Sequence, residues 1–145
     1  FYNVYGPHHE TEGEYCTVVG IFERQYKKGE SLTITWDGEQ RRDFTHVEDI
    51  VDGLVRSGNA LLDEGVSVAT GQEFELGSGK NYSINEVVKF FGDKYPIKRI
   101  PKRDGEMRET LCTDTHAHEL LDWKPTKDLK DYVSAFVETE RFLNE

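Results

Sequence analysis

The apolar residues of this chain follow two spacings, one typical of strands and one typical of helices. Short aromatic and β-branched runs predict strands at residues 1–5, 32–35, 41–46 and 72–77, with further extended segments at 96–101 and 109–113. Apolar residues three or four positions apart predict helices that begin near Thr17, Val47, Ile84, Asp114 and Pro125. Strands and helices therefore alternate along the chain. This pattern predicts a single α/β domain over residues 1–145.

Local signals sharpen two of these predictions. Asp37-Gly38 lies between the strands 32–35 and 41–46, and this dipeptide is a strong signal for a β-hairpin. Ser83 and Glu86 have the spacing of a capping box at the start of the helix that carries Ile84. We therefore expect the two strands to pair with each other, and a helix to begin directly after Ser83.

The charge of the chain excludes several function classes. Its 28 acidic and 18 basic residues give a net charge of -10, which argues against binding nucleic acid or an anionic membrane. No apolar run is long enough to span a bilayer, and no secretory signal is visible. Cys16 and Cys112 lack metal-ligand spacing, and no third ligand accompanies His8 and His9, so we expect no metal site. Free thiols of a cytoplasmic protein are the favoured interpretation of the cysteines, with a disulfide left open.

Two consecutive arginines stand out in this acidic chain. Because side chains alternate along a strand, Arg42 shares one face with Phe44, whereas Arg41 points to the other face beside Asp43. A guanidinium on a rigid strand suits a phosphate, which it can bind through two parallel hydrogen bonds. The alternative is a surface arginine paired with Asp43 or Glu39, and spacing alone modestly favours that alternative. A second basic cluster lies between residues 98 and 108, where solubility is the simpler explanation.

Four segments, in this order, resemble a known family: FYNVYGP, DGEQRRDFTHVEDIVDG, KRDGEMR and LLDWKPTKDL. They are similar to the extended short-chain dehydrogenases/reductases that act on nucleotide sugars, the group of UDP-glucose 4-epimerase and the sugar-nucleotide dehydratases. The resemblance covers nearly the whole chain. It implies the C-terminal substrate-binding lobe of such an enzyme, with small sheets and about five helices, without the N-terminal Rossmann half.

The resemblance assigns roles to individual residues. It implies that Arg42 binds the nucleotide diphosphate or ribose, that Arg103 binds the same diphosphate, and that Asn3 contacts the substrate. The backbone of the strand containing Thr33 and Thr35 is expected to meet the base. The partner implied is therefore a nucleotide-diphosphate sugar.

The sequence departs from the family pattern at two places. Trp36-Asp37-Gly38 replaces a common Gly-Asp-Gly, so the tryptophan is expected to crowd the base or to stack near it. Arg-Asp-Gly-Glu at residues 103–106 replaces Arg-Pro-Gly-Asp, which loosens this loop but keeps its arginine.

The catalytic elements of the family are not found in this chain. No tyrosine is followed by lysine four residues later, and Gly77-Ser78-Gly79-Lys80 lacks the full spacing of a dinucleotide-binding turn. We therefore expect no catalytic residue and no cofactor in this chain, and NAD in the complete family enzyme. Since the chain begins at Phe1 inside a predicted strand, we expect further sequence upstream.

Three hypotheses follow from the sequence. The first is the substrate-binding portion of an NAD-dependent nucleotide-sugar epimerase or dehydratase. The second is a catalytically silent, stand-alone module that binds sugar nucleotides, and the third is a truncated product without a ligand. In the complete family fold, neighbours of the strand at residues 1–5 belong to the absent half. Its unpaired edge therefore predicts a homo-oligomer formed through this strand, or a rearranged N-terminus.

Overall fold

The computed structural model describes residues 1–13, 15–62 and 67–144. Within these residues the chain forms five strands and five helices, in the order β1 (Asn3–Tyr5), α1 (Val18–Lys27), β2 (Leu32–Thr35), β3 (Arg41–His46), α2 (Val47–Leu62), β4 (Asn81–Ser83), α3 (Ile84–Phe91), β5 (Ile97–Ile100), α4 (His116–Leu121) and α5 (Leu129–Leu143). The predicted combination of small strands with five helices is confirmed. No helix in the described part of the chain is both long and apolar enough to cross a membrane.

The strands form two separate small sheets. The first has the order β1-β3-β4, in which β1 runs parallel to β3 with Asn3 opposite Phe44. Strand β4 runs antiparallel to β3, with Tyr82 opposite Arg42. The second sheet pairs β2 with β5 in parallel, with Leu32 opposite Ile97. Both parallel pairs join strands that are distant in sequence, because parallel strands require a long connection.

The predicted hairpin between β2 and β3 is wrong, since these strands lie in different sheets. Gly38 adopts a φ of 74° in the turn between them, and a Cβ atom there would clash with the side chain of Asn85. The backbone N–H of Asn85 donates to the carbonyl of Gly38 at 2.9 Å, and its side-chain amide donates to the carbonyl of Asp37 at 3.0 Å. The turn is therefore held by the start of α3 and directs the chain from one sheet to the other. A turn dipeptide specifies the local reversal, but not the strands that pair beyond it.

Two other strand predictions need correction. Residues 72–77 form no strand, although the backbone N–H of Tyr2 donates to the carbonyl of Leu76 at 3.3 Å. Residues 109–113 form only an isolated bridge between Arg41 and Glu109. Instead, the unpredicted strand β4 pairs with β3. Three residues are too few for a periodic pattern, so β4 was invisible in the sequence.

The start of α3 agrees with the sequence prediction, whereas the start of α5 differs from it. The capping box is confirmed: the Ser83 side chain accepts from the backbone N–H of Glu86, and the Glu86 carboxylate accepts from that of Ser83. Helix α5 starts at Leu129, with Asp128 as its cap, and not at Pro125-Thr126. The cause lies in Thr126, whose backbone N–H and hydroxyl both donate to the Asp49 carboxylate.

Two hydrophobic clusters stabilise these elements. The larger one unites strands β1, β2 and β3 with helices α1, α3 and α5, and its buried members include Tyr5, Phe22, Ile34, Phe44, Phe91 and Val133. The smaller one lies under α2 and α4 and includes Ile50, Leu76, Ala117, Leu121 and Trp123. The first cluster is the one that positions the walls of the cavity described below.

Asp43 of β3 is a fully buried carboxylate that connects three parts of the chain. It accepts hydrogen bonds from the backbone N–H and hydroxyl of Ser78 at 2.7 and 2.6 Å, and from the backbone N–H groups of Gly79 and Cys112 at 3.0 Å each. A buried charge is tolerated when its oxygens are saturated with donors in this way. Asp43 therefore holds the glycine-rich loop and the Cys112 segment against β3.

We predict that Asp43→Ala destabilises the fold by about 3 kcal/mol. The buried Cys112 N–H loses its acceptor at about 1–3 kcal/mol, and the less buried N–H groups of Ser78 and Gly79 lose hydrogen bonds to a charged group. Chemical denaturation measures this change in the free energy of unfolding. Asp93→Ala is the matched control, because Asp93 is exposed. Similar losses in both variants would contradict the role of Asp43.

His46, at the end of β3, is buried against the rings of Tyr5 and Tyr132, with centroids 5.2 and 5.7 Å away. Its Nδ1 accepts the backbone N–H of Glu48 at 3.2 Å. Burial lowers the pKa of His46; the charges of Glu48 and Asp49 oppose this shift. The folded state therefore favours the neutral imidazole.

This lowered pKa predicts a pH dependence of stability. Below the ordinary histidine pKa of about 6.5, the unfolded chain binds a proton that the folded chain resists. The contribution of His46 is thus complete above about pH 6.5 and is lost as the pH falls through its folded pKa. Denaturation at several pH values between 5 and 8 measures how the free energy of unfolding changes with pH. This free energy should fall less steeply towards low pH in His46→Gln than in the wild type. His118→Gln, at an exposed histidine, should keep the wild-type slope; equal slopes in all three proteins would refute the prediction.

Candidate functional site

A cavity of about 600 Å³ opens between the two sheets. Strands β1 and β3 provide one wall, and β2 and β5 provide the other. The starts of α1 and α3 also contribute lining residues, and the exposed Arg103, from the segment that follows β5, lies at its rim. The cavity is lined by both polar and apolar side chains.

All five residues singled out from the sequence line this one cavity: Asn3, Thr33, Thr35, Arg42 and Arg103. They come from β1, β2, β3 and the segment after β5, which are far apart in the chain. The structure thus brings together every candidate residue that sequence and resemblance indicated.

The alternation predicted along β3 is confirmed. Arg42 and Phe44 line the cavity, whereas Arg41 points away and pairs with Glu86 at 2.9 Å. The Arg41 guanidinium also donates to the side-chain and backbone oxygens of Asn81. Neither Asp43 nor Glu39 is the partner of these arginines, contrary to the surface alternative.

Arg42 is held in place by two contacts within the chain. Its Nη2 lies 2.6 Å from a carboxylate oxygen of Glu106, and its Nη1 donates to the carbonyl of Arg41 at 2.8 Å. The side chains of Arg42 and Glu106 are only 14% and 17% exposed. A guanidinium has five N–H donors, so these two contacts leave donors for a ligand.

Arg103 and Glu106 are the two ends of one tight turn. The backbone N–H of Glu106 donates to the carbonyl of Arg103 at 3.3 Å, and Gly105 supplies the positive φ of 75° that the turn requires. Arg103 is exposed at the rim, whereas Glu106 reaches inward to Arg42. The turn therefore presents one basic and one acidic side chain to the same cavity.

The backbone of β2 is partly engaged by glutamine side chains. The N–H of Thr33 donates to the Gln25 amide oxygen at 3.0 Å, and the carbonyl of Thr35 accepts from the Gln40 amide at 3.0 Å. Two backbone groups of β2, the N–H of Thr33 and the carbonyl of Thr35, are therefore already hydrogen-bonded and less available to a base.

Sequence reasoning missed several polar residues of the cavity, among them Glu106 and Gln40. Glu106 lies within a basic cluster of the sequence, although its position three residues after Arg103 was a usable signal. Gln40 is 3% exposed, and within the described residues its amide oxygen has no hydrogen-bond partner. Nothing in the local pattern marks Gln40, because its burial depends on the two sheets that enclose it.

Helix α1 directs its N-terminal end to the cavity. The cavity lining includes Thr17, the N-cap residue, and Val18, the first residue of the helix. A helix N-terminus carries a partial positive charge, which favours an anion nearby. Together with Arg42 and Arg103, this end of α1 outweighs the negative charge of Glu106, so the lining of the cavity is net positive in an acidic chain.

Trp36 is not among the residues that line the cavity. Its ring instead contacts Lys102 and Arg108, at 4.1 and 4.9 Å from the ring centroid. Among the described residues, no three His, Cys, Asp or Glu side chains come close enough to hold a metal ion.

Residues 1–77 match the model of the NAD dependent epimerase/dehydratase family. The chain belongs to this family. UDP-glucose 4-epimerase from Mycolicibacterium smegmatis is 32% identical over 140 residues, which cover 94% of this chain and 42% of the relative.

Solved structures of epimerase/dehydratase proteins have the same fold. UDP-glucose 4-epimerase from Thermotoga maritima, solved with UDP-glucose, matches 99% of this chain and 45% of its own, with 32% identity and a TM-score of 0.75. UDP-glucuronic acid 4-epimerase from Bacillus cereus, solved with UDP-glucuronic acid and NAD, matches 98% of this chain and 44% of its own, with 26% identity and a TM-score of 0.77. The predicted fold class, an α/β lobe of an extended short-chain dehydrogenase/reductase, is confirmed. The chain spans less than half the length of these relatives.

The glycine-rich loop of this family member does not fit the NAD pyrophosphate. Such a loop would need free backbone N–H groups, but those of Ser78 and Gly79 donate to Asp43. No step that involves NAD is therefore assigned to the described residues.

Proposed function

We propose that the cavity binds the nucleoside diphosphate part of a nucleotide sugar, and that the chain is the substrate-binding portion of an NAD-dependent epimerase/dehydratase similar to UDP-glucose 4-epimerase. One observation carries the proposal: Asn3, Thr33, Thr35, Arg42 and Arg103, from distant parts of the chain, share one cavity. The relatives described above are 4-epimerases of UDP sugars, which supports the same substrate class.

The charges around the cavity support a diphosphate. Arg42 lies on a rigid strand with donors to spare, and Arg103 lies at the rim where it can close over a bound anion. We assign the diphosphate to these two arginines, with the N-terminal end of α1 as additional positive potential. Glu106 lowers the net positive charge of the cavity. A simple anion that has no other polar groups should therefore bind weakly.

The polar groups of the cavity support a nucleoside next to the diphosphate. Its volume of about 600 Å³ is in the range of small-molecule sites. We assign the substrate contact of the family to Asn3 and the base to the part of the cavity beside Thr33 and Thr35 of β2. Since the Thr33 N–H and the Thr35 carbonyl are bonded to glutamine side chains, the acceptor for the base there is the Gln40 amide oxygen, which has no partner among the described residues.

The alternative function is a catalytically silent, stand-alone module that binds the same ligands. Both proposals share the cavity, but only the first requires a cofactor half. An upstream reading frame that encodes a glycine-rich NAD turn and Tyr-x-x-x-Lys would decide for the enzyme. We propose the cytoplasm as the compartment, since Cys16 and Cys112 are both free thiols.

Arg42→Ala should weaken UDP binding by about tenfold or more, because a charged hydrogen bond contributes about 1.5–3 kcal/mol. Arg103→Ala should also weaken it, and added salt should lower the affinity of the wild type. Calorimetric titration of UDP, and of uridine for comparison, measures these changes. UDP should bind more tightly than uridine.

Arg41→Ala is the matched control, because this neighbouring arginine points away from the cavity. It should change UDP affinity much less than Arg42→Ala. Equal losses for the two variants, or no preference for UDP over uridine, would rule out the diphosphate site.

We also propose that the chain self-associates through β1. Among the described strands, β1 pairs with β3 alone, and the Tyr2 N–H beside it donates a single hydrogen bond to the Leu76 carbonyl. Helix α2 packs against β1, and Val51, Leu54 and Val55 on this helix are each about half exposed. A strand with one neighbouring strand, close to a helix with exposed apolar residues, favours pairing with a second copy.

Self-association predicts a mass that rises with concentration in sedimentation or light-scattering measurements. Leu54→Glu should weaken the assembly, because it places a charge among the exposed apolar residues of α2. Phe142→Glu, an equivalent change at an exposed residue of α5, should leave it unaltered. A wild-type chain that stays monomeric at several hundred micromolar would contradict the proposal.

A further inference from the structure

Trp36 has an unusual backbone conformation for its residue type. Its φ is 58°, in the left-handed region that bulky residues rarely occupy. Glycine would adopt this conformation without strain. Strained backbone positions persist where the surrounding structure holds them, and they cluster at functional sites.

The Trp36 ring and the turn around it contact the loop of residues 101–107 near both of its ends. At the first end, Lys102 Nζ lies 4.1 Å from the ring centroid, and the Trp36 N–H donates to the carbonyl of Ile100, just before the loop, at 2.9 Å. At the second end, Cζ of Arg108, just after the loop, lies 4.9 Å from the centroid. The Arg108 guanidinium also donates to both carboxylate oxygens of Asp37 at 2.9 Å.

The 101–107 loop carries two residues of the cavity. Arg103 and Glu106 both line it, whereas Trp36 does not. Nearly all of the loop is exposed, so packing of its own residues contributes little to its position. The contacts to Trp36 and Asp37 therefore hold the two ends of a loop that is otherwise supported mainly by the Glu106–Arg42 ion pair.

We propose that Trp36 is a positioning residue: by binding Lys102 and Arg108 it fixes the 101–107 loop and so sets where Arg103 and Glu106 stand at the cavity mouth. The consequence for nucleotide binding rests on the proposed function. The ordering of the loop does not, and it can be measured without a ligand.

Hydrogen exchange of the ligand-free chain tests the ordering. In Trp36→Gly, exchange of the Glu106 amide, which donates to the Arg103 carbonyl within the loop, should accelerate by about five- to thirtyfold. This is the range for losing two cation–π contacts at an exposed site. Trp36→Phe keeps an aromatic face and should lie between the glycine variant and the wild type.

Asp122→Gly is the matched control, because Asp122 is another exposed non-glycine residue with positive φ, at 49°, and it lies outside the loop. It should leave exchange of the loop at the wild-type rate. Unchanged exchange in Trp36→Gly, or equal acceleration in Asp122→Gly, would overturn the proposal.

Calorimetric titration with UDP tests the consequence. Trp36→Gly should reduce UDP affinity several-fold in the wild-type background, and much less when Arg103 is already alanine, because the loop then has no guanidinium to position. An equal loss in both backgrounds would overturn the positioning role. If the wild type binds no UDP, the proposed function fails, while the exchange experiment still decides whether Trp36 orders the loop.

Discussion

The buried carboxylate of Asp43 is the interaction on which the rest of this structure depends. It lies in β3 between Arg42 and Phe44, the two residues of this strand that line the cavity. Its hydrogen bonds to Ser78, Gly79 and Cys112 fix which face of the strand is turned inward. A strand rotated by one residue would bury Arg41 in the cavity and leave this carboxylate without donors, which is costly in a protein interior.

A second buried carboxylate repeats this arrangement one element later. Asp49 in the first turn of α2 accepts from Thr126 and from the backbone of Lys127, and its carbonyl accepts the Trp123 indole N–H at 2.8 Å. These bonds anchor the segment before α5, and α5 in turn packs on the larger core. One wall of the cavity is thus rigidly supported, whereas the opposite rim is an exposed loop held at its ends. A site built this way combines a well-supported wall at β3 with an exposed loop at its rim.

The cavity is basic although the chain has a net charge of -10. Screening limits the influence of distant surface carboxylates to about 8–10 Å in physiological salt. The groups in the cavity itself therefore decide its preference, and these are Arg42, Arg103, Glu106 and the N-terminal end of α1. The net charge remains informative about excluded partners, because nucleic acid and anionic membranes meet the whole surface.

Much of this fold was predictable from local patterns. Helices α1, α2 and α3, the capping box at Ser83 and the strand segments β2 and β3 follow from short-range periodicity and turn chemistry, which depend on residues close in sequence. The opposite faces of Arg41 and Arg42 were predictable for the same reason, since alternation is a property of any strand. The assembly of Asn3, Arg42 and Arg103 in one cavity was implied by resemblance to the family, and not by spacing.

The tertiary structure alone decided which strands pair and which polar groups are buried. Strand β2 pairs with the distant β5 and not with β3, its neighbour in sequence. Gln40 and Glu106 are cavity residues only because the two sheets and the 101–107 loop enclose them. The physical reason is one of range: backbone conformation is set by neighbours a few residues away, whereas strand pairing and burial are set by competition among all surfaces of the chain for apolar contact and hydrogen-bond partners.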